Sequence, residues 1–466
     1  MDVGLIGLGT MGANLARNIA DKKFRICVYN RTPEVTAKFI EDFGNTFLTG
    51  ETNLKKFVQN LSRPRKIILL VKAGEAVDAV IHELLPLLQR GDIIIDGGNS
   101  YFKDTQRREK ELQGQGINFI GSGISGGEVG ALYGPSLMPG GAKSAWQELK
   151  PIWKTIAAKD SEGKPCVTYV GENGAGHYVK MVHNGIEYGL MQIIAETYDC
   201  LRTLYKLKPD AISKIFREWS KGKLQSYLFE ITANVLEKKD EFKSGYLIDY
   251  ILDSAAQKGT GKWTAVDALE RGVAVPSITE AVFARSVAAQ KSLRVNLSQH
   301  YRIKLTRKKI PQKKFIKTLE DALYAGFLSA YAQGFHLIQV AAKEEGWQVN
   351  LSEVARIWKN GCIIRAKMLE TIAQAYRAPD NNDKHLFLTK QIQPLLKKTL
   401  PSLQSFLSHA ALSLIPTPAF FASLNYIALM TQKDSSANLI QGLRDYFGAH
   451  TYERTDRPGT FHTKWE

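Results

Sequence analysis

The segment that most constrains this chain is its opening. Val3-Gly4-Leu5-Ile6 is a short apolar run, and Gly7, Gly9 and Gly12 follow it in the spacing GxGxxG. Met11, Leu15, Ala16 and Ile19 then recur at helical spacing, and Ile26-Cys27-Val28-Tyr29 is a second apolar run. Strand, glycine turn, helix and strand in that order form the context in which this spacing marks a dinucleotide site. Gly7 allows the tight turn, Gly9 lets the backbone approach a pyrophosphate, and Gly12 lets the helix pack close to the sheet. The helix N-terminus then faces the anion. At the end of the second strand, where an NAD site places Asp or Glu, this chain has Asn30-Arg31-Thr32. A guanidinium there can pair with a 2′-phosphate, so NADP is the expected coenzyme.

Further apolar runs follow at Lys66 to Val71, Asp92 to Asp96 and Asn118 to Ile120. The first is nearly all apolar, as suits a parallel sheet covered on both faces. Each run ends in a segment of small residues: Lys72-Ala73-Gly74, Gly97-Gly98-Asn99-Ser100, and Gly121 to Gly127. Ligands of open α/β sheets sit beyond such carboxyl ends. The last segment reads as a flexible loop, able to present backbone donors to an anion or to lie under a nicotinamide.

From about residue 176 the pattern becomes helical. Val179-Lys180 with Gly189 lines up with Ile316-Lys317 and Gly326 at an offset of 137 residues, and Trp219-x-x-Gly222 with Trp358-x-x-Gly361 at 139. Two similar helical units in one large domain account for this. The fold class expected is therefore a Rossmann-type α/β N-terminal domain (1–175), a large all-helical domain with an internal repeat (176–433), and a C-terminal tail (434–466).

The most informative helix runs from Gly176 to Cys200. At about 100° per residue, Lys180, Asn184 and Glu187 fall in one narrow sector with His183 beside it. The surroundings are strongly apolar, and buried charges must be paired or functional. Two readings stay open: a structural Lys–Glu network, or an acid/base pair about two turns (roughly 10 Å) apart that addresses two atoms of one extended substrate. The segment Lys258-Gly259-Thr260-Gly261-Lys262 looks like a phosphate loop, but Lys262 is followed by Trp263, so it is no ATPase P-loop. Lys258 and Thr260 can hold a substrate phosphate, or the segment is an exposed turn. Arg285 interrupts an apolar helix, either as a ligand contact or as a snorkelling surface residue. The C-terminal stretch, judged by composition, is a frayed tail.

Composition removes several alternatives. Lys plus Arg number 62 and Asp plus Glu 46, giving a net charge of +16. This excess favours anionic partners. No zinc-finger or RNA-recognition signature accompanies it, so phosphorylated small molecules are expected rather than nucleic acid. Cys27, Cys166, Cys200 and Cys362 are far apart, which argues against disulfides and zinc and suits a reducing, cytoplasmic setting. The N-terminus has no basic region of a signal peptide. Ala322 to Ala342 and Ser408 to Met430 are the stretches closest to membrane spans. Their polar residues and Pro416 and Pro418 make them buried helices instead.

Taken together, the motifs closely resemble the decarboxylating 6-phosphogluconate dehydrogenase family over essentially the whole chain. The segments that carry the resemblance are GLGTMGxNLARN at 7 to 18, NRT at 30 to 32, VKAG at 71 to 74, DGGNS at 96 to 100 and SGGEVGALYGPSLMPGG at 125 to 141. GHYVKMVHNGIEYG at 176 to 189, LDSAAQKGTGKWT at 252 to 264 and RDYFGAHTYER at 444 to 454 complete it. The resemblance implies NADP-dependent oxidative decarboxylation of 6-phospho-D-gluconate to ribulose 5-phosphate by a homodimer, with no metal. It implies coenzyme contacts from Gly7, Leu8, Gly9, Thr10, Met11, Gly12, Asn30, Arg31, Thr32, Val71, Lys72, Ala73 and Asn99. Substrate contacts fall to Asn99, Ser125, Gly126, Gly127, His183, Asn184, Tyr188, Lys258, Thr260 and Arg285, joined by Arg444 and His450 from a second subunit. Lys180 matches the family's general base and Glu187 its general acid. One departure is Leu190, where many members carry an acidic residue.

Overall fold

Seven strands form the larger sheet: β1 (Val3–Ile6), β2 (Ile26–Tyr29), β3 (Leu48–Gly50), β4 (Lys66–Leu69), β5 (Ile93–Asp96), β6 (Asn118–Ser125) and β7 (Ser136–Gly141). Their spatial order is β3-β2-β1-β4-β5-β6-β7. The first six are parallel and β7 runs antiparallel to β6. The chain reverses direction across the sheet between β1 and β4, which opens a crevice at their carboxyl ends. The computed structural model describes residues 1–255, 259–301, 303 and 310–465. These divide into two units, Met1–Ser423 and Leu424–Glu466.

The strands are apolar throughout because both faces are covered. Val3, Leu5, Ile68 and Ile95 join Leu15, Ile19 and Trp153 on one side. Ile6, Ile67, Leu69 and Ile94 join Phe57, Val77 and Phe119 on the other. Successive side chains of a strand point to opposite faces, so an unbroken apolar run feeds both layers. Each such side chain contributes about 1.5–3 kcal/mol by burial.

Residues 121–125, expected as a loop, are the second half of β6 and pair with β7 in register Gly121↔Gly140 to Ser125↔Ser136. The glycines are there for contact. A Cβ on Gly123 would lie 2.4 Å from Lys180 Cβ, and one on Gly176 would lie 2.0 Å from Gly121 O. The long helix Ala175–Tyr205 therefore lies directly on the strand, and β6 roofs Lys180. The residues that follow do turn: Gly126 and Gly127 have φ of +116° and +61°.

The helical part is built around Ala175–Tyr205 and a second long helix, Gln312–Glu345. Their first residues are separated by the 137 positions of the sequence repeat. Helices Pro209–Trp219 and Tyr227–Glu237 follow the first long helix, and Leu351–Ile357 and Met368–Ala375 follow the second. The two long helices cross at small residues: a Cβ on Gly326 would meet Ile193 Cδ1 at 3.2 Å, and one on Gly189 would meet Ala330 Cβ at 3.5 Å. These contacts are reciprocal, since Gly189 and Gly326, and Ile193 and Ala330, are repeat partners. No described helix is long and apolar enough to cross a membrane. The 322–342 stretch lies inside the second long helix, where Ser329 and Gln333 are fully buried and bonded to each other.

Where the segment before the first long helix meets Phe102–Gln113, Glu109 and Glu172 each bury one carboxylate oxygen that has no hydrogen-bond partner. Burial, reinforced by the Glu172 charge, pushes the Glu109 carboxyl up to about 7. Its folded-state pKa thus exceeds the unfolded value, and the stability it contributes at low pH is lost as pH rises through 4.5 to 7. Glu109→Gln is expected to leave stability unchanged below that window and to raise it above pH 7 by on the order of 2 kcal/mol. Urea unfolding at pH 4.5 and pH 8 checks this. A variant less stable than the parent at pH 8 contradicts it.

In the second unit, helix Ala437–Gly448 is followed by a two-stranded hairpin, β8 (Tyr452–Glu453) with β9 (Thr460–Phe461). Asp445 ties them together: its carboxylate accepts from Thr451 N, His462 Nδ1, Thr463 N and Trp465 Nε1 at 2.9–3.1 Å. Burial raises the Asp445 carboxyl, but these donors outweigh it and hold it well below the usual range. The frayed tail expected from composition is thus ordered around one carboxylate. Leu439, Ile440, Leu443, Tyr446 and Phe447 of the helix stay exposed.

Candidate active site

At the carboxyl ends of β1, β4 and β5 lies a cavity of about 920 Å³. The glycine turn forms one wall. Gly7 has φ +102°, and a Cβ on Gly12 would lie 1.9 Å from Gly7 O, so neither position accepts a larger residue. A Cβ on Gly9 meets nothing within 4 Å, leaving open space above the start of helix Thr10–Asp21. A pyrophosphate fits this arrangement, held by backbone donors at a helix N-terminus. Thr10, Met11, Val71, Lys72, Ala73 and Asn99 complete that side of the cavity.

An adjoining pocket of about 270 Å³ shares Val71 and Lys72 and is lined by Gly7, Asn30, Arg31, Thr32, Ala76, Ala79 and Val80. Asn30 Oδ1 accepts from Leu8 N at 3.1 Å, so the strand end and the glycine turn brace each other. Arg31 offers a guanidinium to a phosphorylated ribose; Glu83 also lines the pocket, but no carboxylate stands at positions 30–32.

The opposite wall comes from helices. Asn184, Glu187 and Tyr188 of the first long helix face the cavity with Thr260 and Arg285. Gly259, with φ +102°, precedes the first turn of helix Thr260–Glu270. The Arg285 guanidinium lies 3.5 Å from the centre of the Tyr188 ring. Burial pushes the Glu187 carboxyl up, against the pull of Lys180 and Arg285.

Beneath Asn184 sits a buried cluster. Lys180 Nζ donates to Asn184 Oδ1 at 2.8 Å and to Ser125 Oγ at 3.2 Å. His183 Nδ1 lies 3.1 Å from Asn184 Oδ1, and its Nε2 lies 3.4 Å from Ser125 Oγ. For a neutral ring the 3.1 Å contact to Asn184 Oδ1, shorter than the 3.5 Å approach of Lys180 Nζ to the same nitrogen, makes Nδ1–H the donor to Asn184, and Nε2 then accepts from the Ser125 hydroxyl. Burial and the neighbouring Lys180 push His183 well down, which keeps the ring neutral. Burial likewise pushes the Lys180 ammonium down, partly opposed by Glu187. An amine able to release its proton and a carboxylic acid able to keep one thus lie on the same face of one helix, as the wheel predicts.

The expected residues therefore gather in one unit, with three exceptions. Lys258 lies outside the described residues. Arg444 and His450 belong to the second unit, where Arg444 Nη1 donates to Gln441 Oε1 at 3.1 Å and His450 packs its ring against Phe447. Trp263 and Met191 line the cavity without having been singled out from sequence. Met191 lies one turn beyond Glu187 on the same face, and Trp263 follows the phosphate-like segment, so both positions carried a signal. Among the described residues no group of three or more His, Cys, Asp or Glu is placed to hold a metal ion.

A glycine turn at the switch point of a parallel sheet, facing a buried lysine and a raised glutamic acid, defines a nicotinamide-dinucleotide dehydrogenase. Residues 2–171 match the model of the NAD binding domain of 6-phosphogluconate dehydrogenase, and residues 176–465 that of its C-terminal domain. The NADP(+)-dependent, decarboxylating 6-phosphogluconate dehydrogenase of Bacillus subtilis is 48% identical over 465 residues, covering 99% of this chain and 98% of that one. The decarboxylating enzyme of Lactococcus lactis is 47% identical, with 99% and 98% covered. Plasmodium falciparum 6-phosphogluconate dehydrogenase, solved with NADP+ and with 6-phosphogluconate, superposes with a TM-score of 0.96 at 44% identity and full coverage of both chains. The chain belongs to the 6-phosphogluconate dehydrogenase family.

Proposed function

We propose that this chain catalyses the NADP-dependent oxidative decarboxylation of 6-phospho-D-gluconate to D-ribulose 5-phosphate, CO2 and NADPH, a step of the pentose phosphate pathway. The observation that carries this reading is the Asn184–Glu187 face, set across one cavity from the dinucleotide turn with Lys180 bonded directly beneath Asn184. Gly9, Thr10, Asn30, Arg31, Thr32 and Lys72 hold the coenzyme, which accepts hydride from C3 of the substrate when bound. Neutral Lys180 takes the proton of the C3 hydroxyl, so oxidation leaves a 3-keto acid. Protonated Lys180 then donates to the C3 oxygen, which draws in the electron pair released as the C1 carboxylate leaves as CO2. Glu187 delivers a proton to the carbon that lost CO2 while Lys180 takes back the proton of the C3 hydroxyl, so the enediol becomes ribulose 5-phosphate and the amine is neutral again. The ketone supplies the electron sink, so the proposed mechanism uses no metal. Asn99, Ser125, Gly126, Gly127, His183 and Asn184 hold the hydroxyls and carboxylate, while Tyr188, Lys258, Thr260 and Arg285 hold the phosphate end.

The working unit in this reading is a cytoplasmic homodimer in which Arg444 and His450 of a second copy complete each site. The exposed apolar face of helix Ala437–Gly448 supports an association of this kind.

Initial rates with 6-phosphogluconate and no added metal, following reduced coenzyme and CO2 together, test the reading. One CO2 per NADPH is expected, with NADP preferred over NAD. Arg31→Ala is expected to weaken NADP by about 10–100-fold, the loss of a charge-assisted phosphate contact of 1.5–3 kcal/mol. NAD is expected to change far less. NADPH formation without CO2 overturns the decarboxylating reading, and equal losses for both coenzymes overturn the 2′-phosphate contact.

A further inference from the structure

Two segments that line the cavity are held by a side chain that lines neither. Arg108 sits on helix Phe102–Gln113 and is 1% exposed. Its Nε donates to Asp78 Oδ1 at 2.8 Å, and its Nη2 donates to Asp78 Oδ2 at 2.9 Å and to Gly74 O at 3.0 Å. Its Nη1 reaches Asp96 Oδ2 at 3.5 Å. Gly74 follows Lys72 and Ala73 and, with φ +92°, opens helix Glu75–Leu84, which carries Asp78. Asp96 ends β5 and fixes the other segment from both sides of Asn99. Its Oδ1 accepts from Gly98 N at 3.0 Å and its Oδ2 from Ser100 Oγ at 2.6 Å.

One guanidinium therefore joins the coenzyme segment 72–74 to the segment 97–100 that presents Asn99. Both carboxylates it meets are required, because a buried cation is tolerated only when paired. The Asp78 carboxyl is held down at about 2, chiefly by its bonds to Arg108. The arrangement needs a fork: donors leave Arg108 toward Asp78, Gly74 and Asp96 from three different nitrogens, and a lysine offers one point of charge instead.

We propose that Arg108 is a positioning residue that sets the coenzyme segment and the Asn99 segment in register with each other, so that each ligand meets a wall already placed by the same side chain. This rests on the assignment of the two segments under the proposed function. Its signature is selectivity. Arg108→Lys, which keeps the charge, is expected to weaken NADP and 6-phosphogluconate together, each by about 10-fold, the loss of roughly one charge-assisted hydrogen bond. Ser100→Ala removes only the Asp96–Ser100 arm and is expected to weaken 6-phosphogluconate more than NADP. Asp78→Asn is expected to weaken NADP more than 6-phosphogluconate, because the Asp96 bonds to Gly98 and Ser100 stay in place.

The test is calorimetric titration of the full-length parent and each variant with NADP and, separately, with 6-phosphogluconate, alongside thermal melting. Arg65→Lys serves as the control. Arg65, just before β4, forms another buried pair 2.9 Å from Asp92, just before β5, at the opposite ends of those strands from both segments. It is expected to lower the melting temperature and leave both affinities within twofold. The proposal is overturned if Arg108→Lys changes only one affinity or neither, or if the control reproduces its double loss. Should Arg108→Lys fail to fold, the other two variants decide. Opposite selectivity supports the proposal, and parallel or absent changes overturn it. A parent that binds both ligands without turnover fails the proposed function while leaving this pattern measurable. A parent that binds only NADP also fails that function, and an unchanged NADP affinity in Arg108→Lys then overturns the proposal.

Discussion

Lys180→Ala is expected to lower turnover by about 10²–10⁴-fold, the range over which a positioned acid–base group acts, while NADP affinity stays within about twofold. The asymmetry follows from where the side chain sits. Lys180 is buried under β6 with its amine against Asn184 and Ser125, and these hydrogen bonds go to neither the glycine turn nor Asn30. Removing it deletes the base for oxidation and the acid for decarboxylation without touching the coenzyme wall. The acid side of the pH profile carries the same information. Burial holds the Lys180 pKa below its ordinary value, so the neutral amine is populated at lower pH than for a free lysine. The parent rate therefore falls as pH drops and Lys180 is protonated. A variant that turned over near the parent rate, with that acid limb intact, would show that another group takes the proton.

The second large effect is expected at Glu187. Glu187→Gln keeps the shape and a hydrogen-bonding terminus but has no proton to transfer, and ribulose 5-phosphate formation is expected to fall by about 10²-fold or more. Because the proton goes to carbon after CO2 has left, solvent deuterium incorporation at C1 of the product is the direct readout. Burial raises the Glu187 carboxyl, so its acid form persists above the usual carboxylate range. The parent rate is expected to decline as pH rises through that raised value, and the variant is expected to lack this dependence. An unchanged rate of ribulose 5-phosphate formation would remove Glu187 from the mechanism.

The sheet half of the fold was legible because its signals are local: a glycine turn flanked by apolar runs, and runs uniform enough to be covered on both faces. The extent of β6 was not. Gly121 and Gly123 read as loop formers, yet they are strand residues whose bare α-carbons admit the helix bearing Gly176 and Lys180, a contact between segments far apart in sequence. The grouping of Lys180, Asn184 and Glu187 followed from helical periodicity alone. The hydrogen bonds that turn His183 into a neutral partner of Ser125 depend on the strand lying over the helix, which periodicity does not reveal. Asp445 is the strongest case. Its four donors come from residues 451 to 465 folded back onto it, and nothing in their composition announces a common acceptor.

The duplicated long helices supply an internal comparison. The repeat partner of Lys180 is Lys317, at the same distance into its own helix, and there the amine is mostly exposed and meets Glu320 at 2.9 Å. Under the proposed mechanism one scaffold thus carries the same side chain as a reagent and as ordinary surface. Helix position and residue identity are common to both, so neither is the source of reactivity. The difference is the lid: a strand with no side chain at Gly123 seals the first lysine from water, whereas the second stays in solvent, where its bond to Glu320 raises its pKa. Sequence drift at 317 should be nearly free, whereas a single methyl group added at 123, which would lie 2.4 Å from Lys180 Cβ, should push the strand off the helix and uncover the proposed base.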